Sequence, residues 1–371
     1  MKVLLLIDDL LPGGIARHIA DLANALLRTD VKIYVSATPG KFLSKFDKDV
    51  LFYPINLLKE DSFKKNYYGI FSSYYRLFKL IKKEHIEIIH SHKRYSHLLG
   101  MLLARQFNIP HITSYHSDIV GKKYLTIFGN HTLCCSNAVR NLLINEFGCK
   151  NEKSQTIYYG ILPFRTLAEA EKKETLKKLG VIENKLIISS IGQFIPVKDK
   201  ESLIYSVNEL RKIKDISNLL FVLLGYGEQK IYLENLVTDL NLRKNIIFVD
   251  GLFDVESLMN ISEFMILTSI KEGFGIVLLE AASIGKIHIG TNVGGIPEFI
   301  ENNKTGLLVE PKNPKQLAKS IAYLIDNPHE YIRMGINAKM KYESEFTFSF
   351  MLNKIVKVYH SIYSNNIHIT K

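Results

Sequence analysis

The chain has 371 residues, 47% of them hydrophobic and 23% charged, which is the composition of a globular protein long enough for two domains. No stretch reaches the roughly 18 consecutive apolar residues of a membrane-spanning helix, and an acidic pair at positions 8 and 9 interrupts the apolar start where a signal peptide would continue. Three cysteines, two of them adjacent, exclude a disulfide framework and a zinc-binding spacing, and we expect core thiols. These features predict a cytoplasmic protein, either free or peripheral on the cytoplasmic face of a membrane.

The net charge of +11 is concentrated in the first half of the chain. Residues 1–160 hold 22 Lys and Arg against 13 Asp and Glu, a net of +9, whereas residues 161–371 hold 26 against 24, a net of +2. A one-sided excess of this kind either serves solubility alone or attracts an anionic partner such as acidic lipid, a phosphorylated acceptor or nucleic acid.

The chain begins with a strand, a turn and a helix. Residues 2–7 form an apolar run of strand length, and residues 15–27 repeat apolar residues at helical spacing, so the two make the first half of a parallel α/β unit. Between them, Gly13 and Gly14 form either a plain tight turn or a place where a phosphate or sugar approaches the backbone. The dinucleotide fingerprint G-x-G-x-x-G is absent, which disfavours a dehydrogenase.

A long helical pattern at residues 63–84 combines aromatic residues at three- and four-residue steps with Lys and Arg in the remaining positions. Two interpretations stay open. The aromatic residues pack into the core, or the helix lies on an anionic membrane surface, where rings settle at the headgroup level beside cations.

Histidines follow the next two predicted strands, at residues 86–91 and 109–114. The first strand ends in His90-Ser91-His92 and the second in Tyr115-His116-Ser117-Asp118. In an open α/β sheet, ligands bind at the carboxyl ends of the strands, so these side chains are candidate ligand contacts. A structural role is the alternative for each of them, and no further residue completes a metal site. A strand at 132–136, a helix at 137–147 and a strand at 156–161 follow.

Residues 163–185 change character, with a proline and a dense run of Glu and Lys, which is typical of a linker that leads into a solvated helix. Strand and helix alternation then restarts at residue 186. The fold class is therefore α/β, with two doubly wound Rossmann-like domains and a ligand bound at the strand ends. We predict domains at residues 1–165 and 166–348, and a terminal helix at 349–371 that crosses back to the first domain.

The stretch 270–301 places Glu272 and Glu280 on either side of a glycine-rich turn that opens a helix at residue 276. Backbone N–H groups of such a turn and of the first helical turn suit a phosphate. An ionised carboxylate only accepts hydrogen bonds, so each glutamate is expected to face hydroxyl groups of a sugar. Glu280 lies about 7 Å along the helix from the turn, at about 1.5 Å per residue, so the two carboxylates suit the two ends of a diphosphate.

These motifs together carry a family resemblance over almost the whole chain. The stretch E-G-F-G-I-V-L-L-E is followed by T-N-V-G-G-I-P-E and T-G-L-L-V, and it is preceded by P-G-G at 12–14, I-I-H-S-H at 88–92, the turn at His116, G-x-x-x-x-x-K at 192–198 and G-Y-G at 225–227. This set resembles the retaining nucleotide-sugar glycosyltransferases of family four. The resemblance implies the GT-B architecture, in which two Rossmann-like domains face each other across a cleft.

The resemblance also implies roles for residues. Three are implied to be catalytic: Glu272 against the donor sugar, His116 reaching that sugar from the first domain, and Lys198 pairing with the diphosphate. The residues implied to bind the rest of the donor are Gly13, Gly14, Gln193, Gly227, Gly273, Phe274, Gly275, Ile276 and Glu280. The donor is implied to be a UDP- or GDP-sugar, with no metal and no separate cofactor. The first domain would then bind the acceptor and the second the nucleotide sugar.

Two positions depart from the family pattern. Gln193 stands where an arginine commonly shares the phosphates with the lysine, and Tyr159-Gly160 stands where Asn-Gly is frequent. The leading hypothesis is a transferase that moves a sugar to a glycan or lipid-linked acceptor in surface polysaccharide synthesis. The alternatives are a sugar-nucleotide epimerase or phosphorylase on the same architecture, and a basic module that binds a membrane or nucleic acid. An anionic membrane is an expected partner under the leading hypothesis, whereas nucleic acid is not.

Overall fold

The structure is a computed structural model that describes residues 1–11, 13–57, 67–117, 126–181, 185–251 and 253–369. It divides into two compact units. Unit 1 comprises Met1–Tyr158 and Ser349–Lys371, and unit 2 comprises Tyr159–Phe348. The division falls after residue 158, where the sequence prediction drew it after residue 165. Pro12, Asp118 and the predicted helix start at 63–66 lie outside the described residues.

Unit 1 is built on a seven-stranded parallel sheet with the order β3-β2-β1-β4-β5-β6-β7. The central strands are continuous apolar runs, because helices cover both faces of such a sheet. β1 shows this directly, since every residue after Lys2 is buried. The strands are β1 (Lys2–Asp9), β2 (Lys32–Thr38), β3 (Leu51–Pro54), β4 (Ile88–His92), β5 (His111–Tyr115), β6 (His131–Cys134) and β7 (Ser154–Thr156).

Among its described residues, the helices of unit 1 are α1 (Gly14–Leu26), α2 (Tyr67–Glu84), α3 (Arg94–Phe107), α4 (Asn137–Phe147) and α13 (Phe348–Ile369), the last from Ser349 onward. In the terminal helix α13, the fully buried Tyr359 bonds through its hydroxyl to His90 Nδ1 at 2.6 Å. The Tyr363 hydroxyl donates to Glu87 Oε1 at 2.9 Å. None of the helices among the described residues is long and apolar enough to cross a membrane.

The aromatic helix α2 packs one face against the core of unit 1. Leu77, Leu80 and Ile81 are buried there. The opposite face leaves Tyr68, Phe71 and Tyr75 exposed, together with the basic side chains. The interpretation that the aromatic residues pack into the core is therefore right for one face of the helix and wrong for those three.

Unit 2 repeats the plan with a six-stranded parallel sheet in the order β10-β9-β8-β11-β12-β13. Its strands are β8 (Leu186–Ile191), β9 (Leu219–Gly225), β10 (Ile246–Asp250), β11 (Phe264–Leu267), β12 (His288–Thr291) and β13 (Leu307–Val309). Its helices are α5 (Glu169–Lys178), α6 (Lys200–Leu210), α7 (Lys230–Asp239), α8 (Val255–Ile261), α9 (Ile276–Ser283), α10 (Ile296–Phe299), α11 (Pro314–Asp326) and α12 (Pro328–Glu345). The prediction of an α/β fold with two doubly wound sheets is confirmed.

Two local predictions need correction. The strand predicted at 156–161 is displaced, because β7 ends at Thr156 and its pairing with β6 covers only three residues.

Helix α3 was missed because its start is polar and its cap comes from a distant part of the chain. Asp8, at the end of β1, accepts from the Ser96 backbone N–H at 2.7 Å and from the Ser96 hydroxyl at 2.6 Å. A carboxylate at a helix start satisfies donors that have no acceptor within the helix.

Candidate active site

The strand order locates a crevice in each sheet. β1 lies between β2 and β4, and β8 lies between β9 and β11, so the connections from each first strand diverge at that point. In doubly wound sheets, ligands bind at such a switch point, beyond the carboxyl ends of the strands. The loops after β8 and β11 carry Lys198 and Glu272, and the segments after β1 and at the end of β4 carry the Gly13-Gly14 turn and His92.

In unit 2, the loops after β8 and β11 are joined by an ion pair. Lys198 Nζ lies 2.5 Å from Glu272 Oε2, and the Ser269 hydroxyl donates to the same oxygen at 3.0 Å. Backbone contacts support the pair, since Ile270 N–H donates to the Val197 carbonyl at 2.9 Å. The structure therefore brings together two of the three residues predicted to be catalytic.

The ion pair leaves capacity for a ligand. An ammonium group has three N–H donors, and the bond to Glu272 occupies one of them. Both side chains remain partly exposed at the surface of unit 2. A lysine held by one carboxylate at the mouth of a crevice presents its other donors to an incoming anion as a compact positive charge.

The glycine turn after Glu272 has the geometry that its sequence requires. Gly275 precedes α9 with φ +92°, a value that side-chain-bearing residues rarely adopt. A Cβ on Gly294 would collide with the Glu272 carbonyl, which accepts from Gly295 N–H at 3.1 Å. The second glycine pair therefore supports the backbone of Glu272 from behind. The first N–H groups of α9 have no acceptor within the helix and suit a phosphate.

Phe274 offers a donor only its backbone, which is the contact predicted for residues 273–275. Its side chain is buried and stacks on Phe346, with ring centroids 5.6 Å apart, while Tyr159 meets it edge-on at 6.2 Å. Only its backbone is left for a ligand, as for Gly273 and Gly275, which are also buried. On α9, Ile276 is half-buried and Glu280 lies one turn further on and is buried.

Gln193 and Gly227 lie on the loops after β8 and β9, which are bonded to each other. The Gln193 side-chain amide donates to the Tyr226 hydroxyl at 3.1 Å. The backbone N–H of Phe194 donates to the Tyr226 carbonyl at 2.8 Å, and Gly227 packs closely on the Phe194 carbonyl. A neutral amide thus stands where the family commonly has an arginine, and no second cation comes from this position.

Sequence reasoning missed Lys200, which is only 1% exposed. Its Nζ donates to the Ser190 hydroxyl at 2.6 Å, and that hydroxyl donates to the Ile266 carbonyl at 2.6 Å. Burial is the main cause that lowers the pKa of Lys200 to about 7; the charge of Lys198 contributes in the same direction and that of Glu272 opposes it. A signal was present in the sequence, because position 200 shares the apolar face of α6 with Leu203 and Val207.

In unit 1, histidines lie close together at the switch point. His92 Nδ1 is 2.8 Å from His116 Nε2, and the two rings are stacked with centroids 5.1 Å apart. His18, on the helix that Gly13 and Gly14 open, places its ring 5.7 Å from the His116 ring. Within the described part of the chain, no group of three or more His, Cys, Asp or Glu side chains is arranged to hold a metal ion.

The surroundings fix the tautomer of His116. Burial lowers the pKa of His92 and of His116 well below 6.5, so both rings are neutral near pH 7. Among the atoms of the described residues, His92 Nε2 finds no hydrogen-bond partner. A buried N–H without an acceptor costs more than a buried lone pair, so the shared proton sits on His92 Nδ1. His116 therefore accepts at Nε2 and carries its own proton on Nδ1.

This tautomer is testable by nitrogen NMR of the histidine rings. We expect His116 to show a protonated Nδ1 and an unprotonated Nε2 at pH 7. The variant His92→Asn retains an N–H donor at the position of Nδ1 and should preserve the pattern, whereas His92→Phe should lose it. His131→Phe, at a more exposed ring bonded to Gln155, is the matched control and should leave the His116 signals unchanged. A protonated Nε2 on His116 in the unmodified protein would contradict the assignment.

Solved structures share this fold over nearly the whole chain. The Anabaena protein Alr3699/HepE in complex with UDP-glucose is similar with a TM-score of 0.84 and 19% sequence identity, covering 97% of this chain and 100% of that one. The doubly wound sheets and their switch-point loops thus define a protein of the GT-B class.

The family follows from sequence comparisons. Residues 12–163 match the family described as Glycosyltransferase Family 4, and residues 171–341 match Glycosyl transferases group 1. The Methanocaldococcus jannaschii glycosyltransferase MJ1178 is 30% identical over 366 residues, 94% of this chain and 95% of the relative. The Escherichia coli enzyme UDP-Gal:alpha-D-GlcNAc-diphosphoundecaprenol alpha-1,3-galactosyltransferase is 26% identical over 301 residues, 76% of this chain and 77% of the relative. The chain belongs to the family 4 glycosyltransferases, and its activity is glycosyl transfer.

Proposed function

We propose that this glycosyltransferase moves a sugar from a UDP- or GDP-sugar to a glycan or lipid-linked acceptor in surface polysaccharide synthesis, with retention of the anomeric configuration and without a metal ion. The observation that carries the proposal is the ion pair of Lys198 and Glu272 at the switch point of unit 2, directly before the glycine turn that opens α9.

The diphosphate of the donor binds at the N-terminus of α9 and against Lys198. The bond between the anomeric carbon and the phosphate oxygen breaks, the acceptor hydroxyl oxygen bonds to that carbon, and its proton leaves with the nucleoside diphosphate. Negative charge grows on the departing phosphate oxygen as this happens. A fixed ammonium group and helix N–H donors stabilise that charge without the reorganisation that water would need. Because Gln193 is neutral, Lys198 carries more of this task than it would beside an arginine.

The two glutamates bind hydroxyl groups. A carboxylate beside a phosphate is repelled, so Glu272 accepts from a hydroxyl of the donor sugar while it holds Lys198 in place. Glu280, one helical turn beyond the start of α9, accepts from the ribose hydroxyls. Gly13 and Gly14 border the donor phosphate. His116, neutral and protonated on Nδ1, donates a hydrogen bond to the sugar.

Two relatives support the choice of substrates. The Anabaena protein is similar in fold and was solved with UDP-glucose, which favours a nucleoside diphosphate sugar as donor. The name of the Escherichia coli enzyme gives a UDP-sugar donor and a diphosphoundecaprenol-linked acceptor. The basic excess in residues 1–160 suits an acceptor that carries a diphosphate.

A thermal-shift screen against UDP, GDP, ADP and their common sugars tests the donor. A ligand at a hundred times its dissociation constant stabilises the folded chain by about 2.7 kcal/mol, so we expect one nucleotide series to raise Tm clearly. The shift should persist with EDTA, and Glu280→Ala should reduce it. The exposed Glu310→Ala is the control and should retain it.

The reaction itself is tested by product analysis. We expect transfer only when an acceptor is present, and proton NMR should show the anomeric configuration of the donor in the product. A new nucleotide sugar formed from the donor alone would instead identify an epimerase. Donor consumption that depends on free phosphate would identify a phosphorylase.

A further inference from the structure

The outward face of α2 has aromatic side chains in its first half and cationic side chains in its second half. Eight residues of this helix are exposed at three- and four-residue steps, so they form one continuous face. The first half of the face carries Ser72 and three aromatic residues, with Tyr68 93% exposed, Phe71 82% and Tyr75 58%. The second half is cationic, and its members are Arg76, Lys79, Lys82 and Lys83.

This exposure belongs to a helix that is firmly packed. Leu77, Leu80 and Ile81, on the opposite face, are buried in the core of unit 1, and the Tyr74 and Phe78 rings pack against the same cluster. The inward face therefore already satisfies the hydrophobic requirement of the helix. The three large rings on the outward face lie outside this core cluster, and a row of exposed aromatic residues is a mark of an interaction surface.

The charge on this face has one sign. The acidic residue of α2, Glu84, turns inward, where it accepts from the Tyr34 hydroxyl at 2.9 Å. Lys83 lies 3.9 Å from that carboxylate, and Lys79 lies 4.4 Å above the Tyr75 ring. Within the described residues, no carboxylate pairs with Arg76, Lys79 or Lys82. The face thus combines rings with uncompensated positive charge.

We propose that this face docks on an anionic lipid bilayer, with the three rings at the headgroup level and the cations against lipid phosphates. Tyrosine and phenylalanine rings settle in that interfacial layer, and each nearby Lys or Arg strengthens binding about fivefold on an anionic surface. Three rings offer on the order of 500 Å², less than the roughly 800 Å² that each side of a stable protein interface buries. A bilayer sets no such minimum area for the three rings, because residues beside them also contact the bilayer.

The purpose of membrane docking rests on the proposed function. A lipid-linked acceptor stays in the membrane while the nucleotide sugar arrives from solution, so docking would bring the enzyme to its acceptor. The docking face belongs to unit 1, which also holds the basic excess of residues 1–160. Vesicle binding is measured without donor or acceptor. Docking and glycosyl transfer can therefore fail separately.

The absence of tryptophan from the whole sequence permits a direct probe. Phe71→Trp places one fluorophore in the centre of the aromatic row. With vesicles of phosphatidylcholine and phosphatidylglycerol, its emission is expected to shift to the blue and to be quenched by brominated lipid. With phosphatidylcholine alone the shift should be much smaller. Ile336→Trp, at a 58% exposed position on α12 of unit 2, is the matched control and should show no shift.

Cosedimentation separates the rings from the charges. Replacing Tyr68, Phe71 and Tyr75 together by serine should lower partitioning into anionic vesicles at least tenfold, at low and at high salt. Replacing Arg76, Lys79 and Lys82 by glutamine should lower it by a similar factor at low salt only, because salt screens charges. The corresponding serine variant of the exposed row Ile332, Ile336 and Met340 on α12 should bind as the unmodified protein does.

Two results would overturn the proposal. One is that the unmodified protein does not bind anionic vesicles and stays in the supernatant. This result is also the one expected if the face binds a protein and not a membrane. The other is a ring variant, shown to be folded by its unchanged Tm, that binds vesicles as well as the unmodified protein does.

Discussion

The variant Lys198→Ala is expected to lower kcat of glycosyl transfer by roughly 10²–10³-fold, the loss typical when one preorganised group that stabilises developing charge is removed. The reason lies in the geometry around the ammonium group. Glu272 holds it at 2.5 Å from one side, while Gln193 adds no charge beside it. The measurement is steady-state transfer from the donor that the thermal screen identifies.

Companion variants separate charge from position. Lys198→Arg retains the positive charge and should recover part of the loss, although its planar group cannot occupy the same point. Glu272→Ala should lower kcat as well, because it removes both the sugar contact and the partner that positions Lys198. Lys212→Ala breaks an exposed ion pair with Glu209 in the same unit and serves as the matched control. Transfer within twofold of the unmodified enzyme in both Lys198→Ala and Glu272→Ala would refute the site assignment.

The variant Lys200→Met is expected to stabilise the protein by about 1–4 kcal/mol near pH 7, the range found when buried ion pairs are replaced by apolar side chains of similar volume. Lys200 is fully enclosed, and its amine donates to the Ser190 hydroxyl. Ser190 keeps its bond to the Ile266 carbonyl after the replacement, so no buried polar group loses its last partner. Chemical denaturation measures the change.

The pH dependence of the free energy of unfolding shows whether the charge of Lys200 is the cause of the expected gain. The pKa of Lys200 is about 7 in the folded chain and 10.5 without the fold, so between these values the unfolded chain binds the extra proton and stability rises with pH. The free-energy cost of burying Lys200 in the unmodified protein is greatest below pH 7 and becomes smaller as the pH rises to 10.5. The advantage of Lys200→Met should shrink in parallel. Lys212→Met, at an exposed position, should stay within about 0.5 kcal/mol at every pH. A gain that is constant with pH would show that the charge is not the reason.

Most of the fold could be predicted from the sequence because its signals are local. Continuous apolar runs such as β1 predict buried parallel strands, and a glycine at the turn before α9 predicts a helix start. Helix α3 was not predictable in this way, since its cap, Asp8, lies 88 residues away from Ser96 in the sequence. The exposure of Tyr68 and Phe71 was equally undetermined, because α2 carries aromatic residues on both faces and the spacing alone does not say which face meets the core.

By itself the sequence determined the two α/β units, since periodicity is a property of neighbouring residues, and its motifs carried the resemblance that implied the family and the candidate residues. Only the tertiary structure decided which of these residues meet. Lys198 and Glu272 are 74 residues apart, and they form a pair because β8 and β11 are neighbours at the switch point. Likewise His92 fixes the proton of His116 because β4 and β5 are adjacent. Side chains at the ends of neighbouring strands are brought within bonding distance by strand order, which depends on how the whole sheet packs.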